Sequence, residues 1–385
     1  MKFIIRIEKS RSISGPGLAR VAWRRLKAAA VQRNQTAMRK KLHAHTQPIR
    51  LGFVALADSA PIVMAQELGL FARHGVEVEI HREVGWATIR DKILYGELDA
   101  AQAPAGLLVA ASCGLGSIQA DCLTGLVLNL QGNAITLSNA LWDRGVRDGA
   151  TLRRALSCES RVHTFGVVHA YSAHSCLLRT WLRAHDIEPE RDVQIVVVPP
   201  AQVHANLKAG HLDGYCVGEP WNSMAVLSRT GWCVQTSADL APRHPEKVLM
   251  VQRRFAERME REHLALIAAL AEACAFCAKP ANRERVIETL AQGPYVAAPI
   301  QALRMSLGGS FDFGHGRVEK LAGFHIFAGD GANDPSPDKA QWVIRSLLAS
   351  GLLPDPGALP AERAAACFRS DIFHQATQLQ DRSSS

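Results

Sequence analysis

One order of predicted elements occurs twice along this chain, and it limits the possible folds more than any other feature of the sequence. In the first series, Arg50 to Leu56 is an apolar run typical of a buried strand, and Ile62 to His74 has helical spacing. Val76 to Ile80 alternates as strands do, Thr88 to Tyr95 is helical again, and Leu98 to Ala101 starts a third strand. The series therefore reads strand, helix, strand, helix, strand.

A second series repeats the same five elements farther along the chain. They are a strand at 163–167, a helix at 172–184, a strand at 194–198, a helix at 202–209 and a strand at 212–217. Gly-Glu-Leu-Asp-Ala at 96–100 and Gly-His-Leu-Asp-Gly at 210–214 occupy equivalent places, each joining a helix end to the next strand. Alternating strands and helices indicate a parallel sheet with helices on both faces. We therefore predict two similar α/β lobes, followed from about Arg254 by a mostly helical region with a long irregular stretch at 307–337.

The basic character of the chain is confined to its first residues. Residues 1–49 hold twelve Lys or Arg and a single acid, Glu8, which gives +11 and leaves 32 basic and 35 acidic residues, or −3, for the rest. A near-neutral body does not favour a nucleic-acid-binding face. We predict that residues 1–47 form a basic, disordered arm. Contact with an anionic membrane surface, nucleic-acid binding by the arm and an organelle transit peptide remain open for this segment.

Cysteine usage favours a reducing compartment. The chain has nine cysteines at irregular spacings, and an odd number of that kind is not a disulfide framework. Cys274 and Cys277 form the only CxxC pair and lie in a helical pattern, so buried thiols are favoured over a zinc or redox site. Phe3 to Ile5 is too short for a secretory leader, and no apolar run of about 18 residues is present to span a membrane. We therefore expect a cytoplasmic protein.

Five residues stand where a ligand of an open α/β sheet would bind. Trp86 and His174 lie where a strand gives way to a helix, where backbone N–H groups and the helix dipole favour anions. Asn133 places an amide in a strand-like stretch, where Asn is depleted. Gly218 follows a strand and permits close backbone approach, and Lys247 precedes one. The structural alternatives are core packing for Trp86 and a satisfied structural side chain for Asn133 and His174. For Gly218 the alternative is a tight turn, and for Lys247 it is a solvated surface position.

Taken in order, the blocks that contain these residues resemble the substrate-binding proteins of nitrate and bicarbonate transporters and the related cytoplasmic nitrate/nitrite sensors. The resemblance runs from about Ile49 to about Leu290 and rests on five blocks of sequence. They are Gly52 to Pro61, Trp86 to Lys92, Gly132 to Leu137, Val217 to Trp221 and His244 to Val248.

The resemblance implies a two-lobed periplasmic-binding-protein type II fold of the α/β class, each lobe a mixed, mostly parallel sheet flanked by helices. Residues 48–140 and 245–375 would form lobe 1 and residues 141–244 lobe 2, with the ligand between them. It also implies that Trp86, Asn133, His174, Gly218 and Lys247 bind nitrate or nitrite. Bicarbonate-binding members hold calcium with an acid where Lys247 stands, so the resemblance favours an anion bound without metal or cofactor.

The planar, singly charged nitrate ion suits an indole face, an amide, an imidazole and one ammonium group. The lack of a leader points to the sensor branch, whose partner is an RNA-binding antiterminator of the ANTAR type that the anion releases. Alternatives are the receptor of a nitrate ABC transporter and, with iron and histidine chemistry, an enzyme resembling the synthase of the thiamine pyrimidine precursor. No catalytic motif is present, so we predict a binding protein and not an enzyme.

Overall fold

The computed structural model describes residues 47–321, 323–353, 357 and 359–383. The predicted arm at 1–47 lies outside the described residues except for Gln47. Fourteen strands are found in the described part of the chain. They are β1 Ile49–Val54, β2 Val78–Glu83, β3 Ala100–Pro104, β4 Cys122–Leu123, β5 Val127–Gln131, β6 Asn133–Ser138, β7 His163–Val167, β8 Val193–Val197, β9 Gly214–Gly218, β10 Gly231–Thr236, β11 Pro245–Gln252, β12 Ser310–Gly314, β13 Arg317–Lys320 and β14 His325–Ile326.

Helices flank these strands and form most of the chain after residue 252. They are α1 Ala60–Glu67, α2 Leu70–Arg73, α3 Trp86–Tyr95, α4 Ala105–Cys113, α5 Asn139–Asp143, α6 Gly149–Ser157, α7 Ala173–Arg183, α8 Pro200–Lys208, α9 Trp221–Leu227, α10 Ser237–Leu240, α11 Arg253–Arg258, α12 Glu260–Ala278, α13 Arg283–Leu290, α14 Ile300–Leu307, α15 Pro337–Ala349, α16 Ala361–Ala365 and α17 Ser370–Ser383. Single 3-10 turns occupy Ala57–Ser59 and Pro280–Asn282.

Two mixed sheets organise the molecule, as the repeated series predicts. The first has the order β14-β5-β11-β3-β1-β2, with β4 beside β11, and the second has the order β10-β6-β9-β7-β8. In each sheet the three strands of the repeated series are parallel, and one neighbouring strand, β11 in the first sheet and β6 in the second, is antiparallel to them. The parallel strands therefore end at one edge of their sheet, where ligands of such sheets collect.

The chain crosses between the sheets earlier than the predicted boundary near residue 140. The polar and apolar stretch from Leu128 to Leu137 is two strands, β5 in the first sheet and β6 in the second, separated by Gly132. Gly132 has φ of 97° and Gln131 has φ of 60°, so the break has a left-handed backbone. Sequence periodicity cannot detect the break because both strands are buried at every residue, so no alternation of exposed and buried positions marks where one strand ends. Residues 133–140 therefore belong with the second sheet.

The stretch at 307–337, predicted as irregular, contains a hairpin and a short strand. β12 and β13 pair with each other, and β14 pairs with β5 at the edge of the first sheet. Phe311, Phe313 and Phe324 pack with Ala134 and Cys233 of the second sheet, so this segment covers lobe 2, although the predicted division assigns it to lobe 1. The sequence pattern did not predict this hairpin, because the stretch is rich in Gly and the two strands contain few apolar residues.

The predicted helices are present, with two of them interrupted. The helix expected from Ile62 to His74 is divided at Gly69, which has φ of 64°, and the one expected from Arg254 is divided at Met259. No single helix among the described residues is both long and apolar enough to cross a membrane. One pair, Glu260–Ala278 with Pro280–Leu290, passes by length and composition but bends by 89°, and its first helix packs in the hydrophobic core.

The two sheets meet through a shared apolar cluster and direct backbone contacts. Val54 and Trp86 beside the first sheet pack in the same buried cluster as Tyr215 and Val217 of the second. The backbone N–H of Ala57 donates to the carbonyl of Glu219 over 2.7 Å, directly after strands β1 and β9. This contact brings the ends of strands from both sheets to one place.

Candidate functional site

All five residues predicted to bind the ligand lie together at this junction of the two sheets. Trp86 begins α3 and is 1% exposed, while Asn133, His174 and Lys247 are fully buried. Asn133 and Gly218 face each other as register partners on the antiparallel strands β6 and β9. The surface alternative for Lys247 is therefore wrong, and the site draws on both sheets.

Lys247 is held between two carboxylates that the sequence analysis did not assign to the site. Its Nζ lies 2.8 Å from Asp58 Oδ2 and 2.7 Å from Glu246 Oε1. The same Nζ lies 5.3 Å from the centre of the Trp86 ring, within cation–π range. The ammonium group is therefore already shared by two acids.

Glu246 has more hydrogen-bond partners than Asp58. Asn133 Nδ2 donates to its Oε2 over 2.6 Å, and His244 Nε2 lies 3.1 Å from the same oxygen. His174 Nε2 approaches Oε1 at 3.4 Å. Three residues of different elements therefore surround this carboxylate in addition to Lys247, which accounts for its complete burial without loss of charge.

Asp58 is positioned by the sequence Ala57–Ser59, a 3-10 turn that directly follows β1. Gln102, in the middle of β3, donates from Nε2 to Asp58 Oδ1 over 2.6 Å and accepts from the backbone N–H of Val54 at 3.3 Å. Lys247 Nζ pairs with Asp58 Oδ2 over 2.8 Å, and no other donor reaches that oxygen among the described residues.

Several polar atoms around this cluster are buried without a hydrogen-bond partner in the part of the chain that the structure describes. They are Trp86 Nε1, Asn133 Oδ1 and both ring nitrogens of His174. A buried polar atom that lacks a partner costs roughly 1–3 kcal/mol, so a group of them in one place is typical of a binding site. The set offers an indole N–H, an imidazole and an amide oxygen to a small polar ligand.

Gly218 marks where these atoms converge. A Cβ built on Gly218 would lie 3.4 Å from Asp58 Oδ2, 3.5 Å from Asn133 Oδ1 and 3.8 Å from His174 Nε2. The absence of a side chain on Gly218 therefore leaves space that three polar side chains from both sheets face.

Burial and charge set the ionisation of the cluster. Burial raises the pKa of Asp58 against the opposing charge of Lys247. Burial would also raise the pKa of Glu246, but Lys247, His174 and His244 together bring that pKa well below its usual value. The two carboxylates outweigh the burial of Lys247 and raise its pKa, whereas burial lowers the pKa of His174 to about 3. The ammonium group is therefore charged and the imidazole neutral at pH 7.

Metal-binding groups of three or more His, Cys, Asp or Glu are not found within the described residues. All nine cysteines are free, and Cys274 and Cys277 are buried in α12 as the sequence predicts.

Sequence reasoning found five residues of the site and missed Asp58, Gln102, Glu246 and His244. Asp58, His244 and Glu246 lie inside the quoted blocks, but no ligand-binding role was predicted for them. An acid beside a lysine normally indicates a solvated surface pair. Strand register alone reveals that Glu246 is buried, because β11 lies between β3 and β5 in the sheet.

Comparison with known proteins agrees with the fold and with the resemblance. The model of the NMT1-like family matches residues 43–291. The chain is 39% identical to the bicarbonate transport ATP-binding protein CmpC of Synechococcus elongatus over 80% of this chain and 46% of CmpC. It therefore spans about half the length of that relative. It is 30% identical to the nitrate/nitrite binding protein NrtA of the same species over 86% of this chain and 77% of NrtA.

Solved structures show the same two-lobed fold. The periplasmic nitrate-binding protein NrtA of Synechocystis PCC 6803 superposes with a TM-score of 0.81 at 27% identity and covers 87% of this chain and 89% of its own. The alkanesulfonate-binding protein SsuA of Xanthomonas axonopodis superposes with a TM-score of 0.64 at 17% identity and covers 83% of this chain and 98% of its own, which supports the fold alone.

These structures confirm the predicted periplasmic-binding-protein fold. NrtA is named as a binding protein, which agrees with the prediction of a binding protein rather than an enzyme. The matched region covers every residue of the site described above and all strands of both sheets except β14. The chain belongs to the NMT1-like family, on the branch that contains the substrate-binding proteins of nitrate and bicarbonate ABC transporters.

Proposed function

We propose that this protein is a receptor for a small monovalent oxyanion, with nitrate or nitrite as the ligand. The observation that carries the proposal is the convergence of buried, unpartnered polar atoms from both sheets beside Gly218 and Lys247, as counted within the described residues. The similarity to NrtA, a nitrate/nitrite binding protein, supports the same ligand.

The chemistry of the site suits such an ion. The Trp86 N–H and an N–H of neutral His174 are donors for anion oxygens, and the Lys247 ammonium supplies positive charge. The indole face of Trp86 gives a planar ion a flat apolar surface. Sulfate and phosphate carry more negative charge than one shared ammonium offsets, and a buried uncompensated charge is expensive. We therefore expect monovalent anions to be preferred.

Isothermal titration of the full-length protein with nitrate, nitrite, bicarbonate and sulfate, each with and without EDTA, tests the ligand. We expect nitrate or nitrite to bind in the presence of EDTA and sulfate not to bind. Trp86→Phe should weaken binding by at least fivefold, because it removes one buried donor, whereas Trp142→Phe on α5 serves as the matched control and should change nothing. Calcium-dependent bicarbonate binding with no heat from nitrate would contradict the proposal.

The similarity to importer proteins favours a role as a component of an anion ABC importer. NrtA is named as a nitrate/nitrite binding protein, and several relatives are named as ATP-binding proteins of bicarbonate or nitrate import. This chain matches 46% of the length of each of those ATP-binding proteins. Loss of nitrate uptake in cells that lack this protein, restored by the wild-type gene but not by Trp86→Phe at limiting nitrate, would support this role.

A second candidate is the cytoplasmic sensor that controls an antiterminator. It is supported by the nine free cysteines, seven of them buried, which suit a reducing compartment. Cytoplasmic location and an ANTAR-type partner stay predictions. Size-exclusion chromatography with a purified antiterminator of this type, with and without nitrate, tests the sensor role. A complex that nitrate dissolves would support it, and no complex in either condition would leave the importer role.

A further inference from the structure

Two carboxylates share one ammonium group where the anion is proposed to bind. Asp58, Glu246 and Lys247 are at most 1% exposed, and with both acids ionised they carry a net charge of −1. A monovalent anion bound beside them would raise the buried charge to −2. Like charges at such distances repel strongly in a site without water, so binding requires another positive charge or the loss of a negative one.

The ionisable groups around Asp58 offer no further cation among the described residues. Besides Lys247 and Glu246, four neighbours face this region: His174 of α7, His244 before β11, His325 of β14 and Glu219 after β9. The Glu219 carboxylate accepts from Ser306 Oγ and the Ser223 N–H at Oε2. The one basic side chain of α14, Arg304, is ion-paired with Glu284.

Resting on the proposed function, we propose that Asp58 contacts the anion and takes up one proton from solvent when the anion binds, so that anion and proton enter the site together. The proton converts the carboxylate to a neutral carboxyl group, whose O–H can donate to an oxygen of the anion. Asp58 would thus change from a repelling group into a hydrogen-bond donor for the ligand.

Hydrogen bonding distinguishes Asp58 from Glu246 as the site of protonation. Glu246 accepts from Asn133 and lies against Lys247 and His244, all within 3.1 Å, and these donors favour its charged form. Asp58 accepts a hydrogen bond from Gln102 at Oδ1, and the only other donor near it among the described residues is Lys247, 2.8 Å from Oδ2. That oxygen is also the polar atom closest to the space beside Gly218.

Proton uptake links affinity to pH with a definite sign. Where Asp58 is ionised in the free protein and protonated in the complex, each anion brings one proton, and the dissociation constant rises about tenfold for each unit of increasing pH. An anion that binds without a proton would have the same affinity at every pH at which Asp58 is ionised in the free protein.

The test is titration of the full-length protein with sodium nitrate at pH 6.5, 7.5 and 8.5, with the pH 7.5 titration run in both HEPES and Tris. The difference in heat between these buffers reports the protons taken up per anion. We expect about one proton for the wild type and none for Asp58→Asn, which carries a permanently neutral side chain. At pH 8.5 this variant should bind nitrate at least tenfold more tightly than the wild type.

Asp99→Asn is the matched control. Asp99 pairs with Arg50 and precedes β3, at the opposite end of that strand from the site, so its neutralisation should leave proton uptake unchanged. Thermal unfolding of each variant checks that it is folded.

Nitrate binding that is independent of pH and buffer would overturn the proton coupling alone. Proton uptake that persists in a folded Asp58→Asn variant would place the proton on another group and overturn the assignment to Asp58. Nitrate binding that requires a divalent cation and takes up no proton would also overturn the proton coupling. No heat with nitrate or nitrite at any pH would overturn the proposed function, and the coupling with it.

Discussion

Asn133 donates a hydrogen bond from Nδ2 to Glu246 Oε2 over 2.6 Å. This bond joins strand β6 of the second sheet to strand β11, an inner strand of the first sheet. Both side chains are fully buried. The bond therefore fixes the relative position of two sheets across the candidate site, and it turns Asn133 Oδ1 toward the space beside Gly218.

Replacing Asn133 with Ala should lower the free energy of unfolding by about 1–3 kcal/mol, because it removes a donor from a buried carboxylate. Urea unfolding measures the change. Asn139→Ala is a suitable control, since Asn139 Nδ2 donates to the carbonyl of Arg229 in an exposed position and its loss should cost less than about 1 kcal/mol. Equal losses for the two variants would mean that the bond to Glu246 contributes no more to the free energy of unfolding than an exposed hydrogen bond does.

Lys247→Met should lower the free energy of unfolding by about 3–5 kcal/mol, because two buried carboxylates lose the ammonium group between them. Adding Asp58→Asn should recover part of this loss, since it removes one of the two uncompensated charges. A double-mutant cycle measured by urea unfolding gives the coupling. Lys208→Met, at an exposed position on α8, is the control and should stay within about 0.5 kcal/mol of the wild type. Additive effects of the two site substitutions would contradict the shared ion pair.

Acid should destabilise the protein through its buried histidines. Burial lowers the pKa of His174 and His325 to about 3 and of His169 and His263 to about 4, all below the usual 6.5. Between these values and 6.5 the unfolded chain binds protons that the folded protein does not, so stability falls as pH decreases below about 6.5. The loss is about 1.4 kcal/mol per pH unit for each such proton.

His263 isolates one of these contributions, because it lies in the apolar core on α12 beside Phe255 and away from the site. Between pH 4.5 and 6, His263→Phe should reduce the slope of the free energy of unfolding against pH by up to about 1.4 kcal/mol per pH unit, which corresponds to one proton. Urea unfolding at several pH values measures the slope, and His211→Phe, at an exposed position, should leave it unchanged. An unaltered slope in His263→Phe would show that His263 is protonated in the folded protein.

Removal of residues 1–37 should leave nitrate affinity unchanged. The first strand begins at Ile49, and the first residue assigned to the site is Asp58. The basic charge of the segment is also separated in sequence from a near-neutral body. Titration of the shortened and the full-length protein with nitrate compares the two. A tenfold loss of affinity would show that the segment takes part in ligand binding.

The repeated strand and helix pattern was sufficient to predict two α/β lobes, because alternation and helical spacing report burial on one face directly. It was not sufficient to place the crossing at Gly132, since β5 and β6 are both buried on every residue and no change of period separates them. Trp86 and His174 could be located because strand-to-helix junctions are visible in sequence. Glu246 could not, because its burial depends on strands β3 and β5, which are distant from it along the chain.

Gly218→Ala tests whether the space beside this residue belongs to the ligand. The new methyl group would meet Asp58 Oδ2, Asn133 Oδ1 and His174 Nε2 at 3.4–3.8 Å, which are ordinary contact distances, so the protein should fold with nearly unchanged stability. The methyl group would nevertheless occupy the place where these three polar atoms converge, and it would exclude a bound anion from that place. We expect nitrate affinity to fall at least tenfold while the midpoint of thermal unfolding changes by no more than about 3 °C. Gly293→Ala is the matched control, because a Cβ there has no atom within 4 Å and should alter neither quantity. Full nitrate affinity in a folded Gly218→Ala variant would place the ligand elsewhere in the protein, since no anion that contacts these three atoms could share the space with the methyl group.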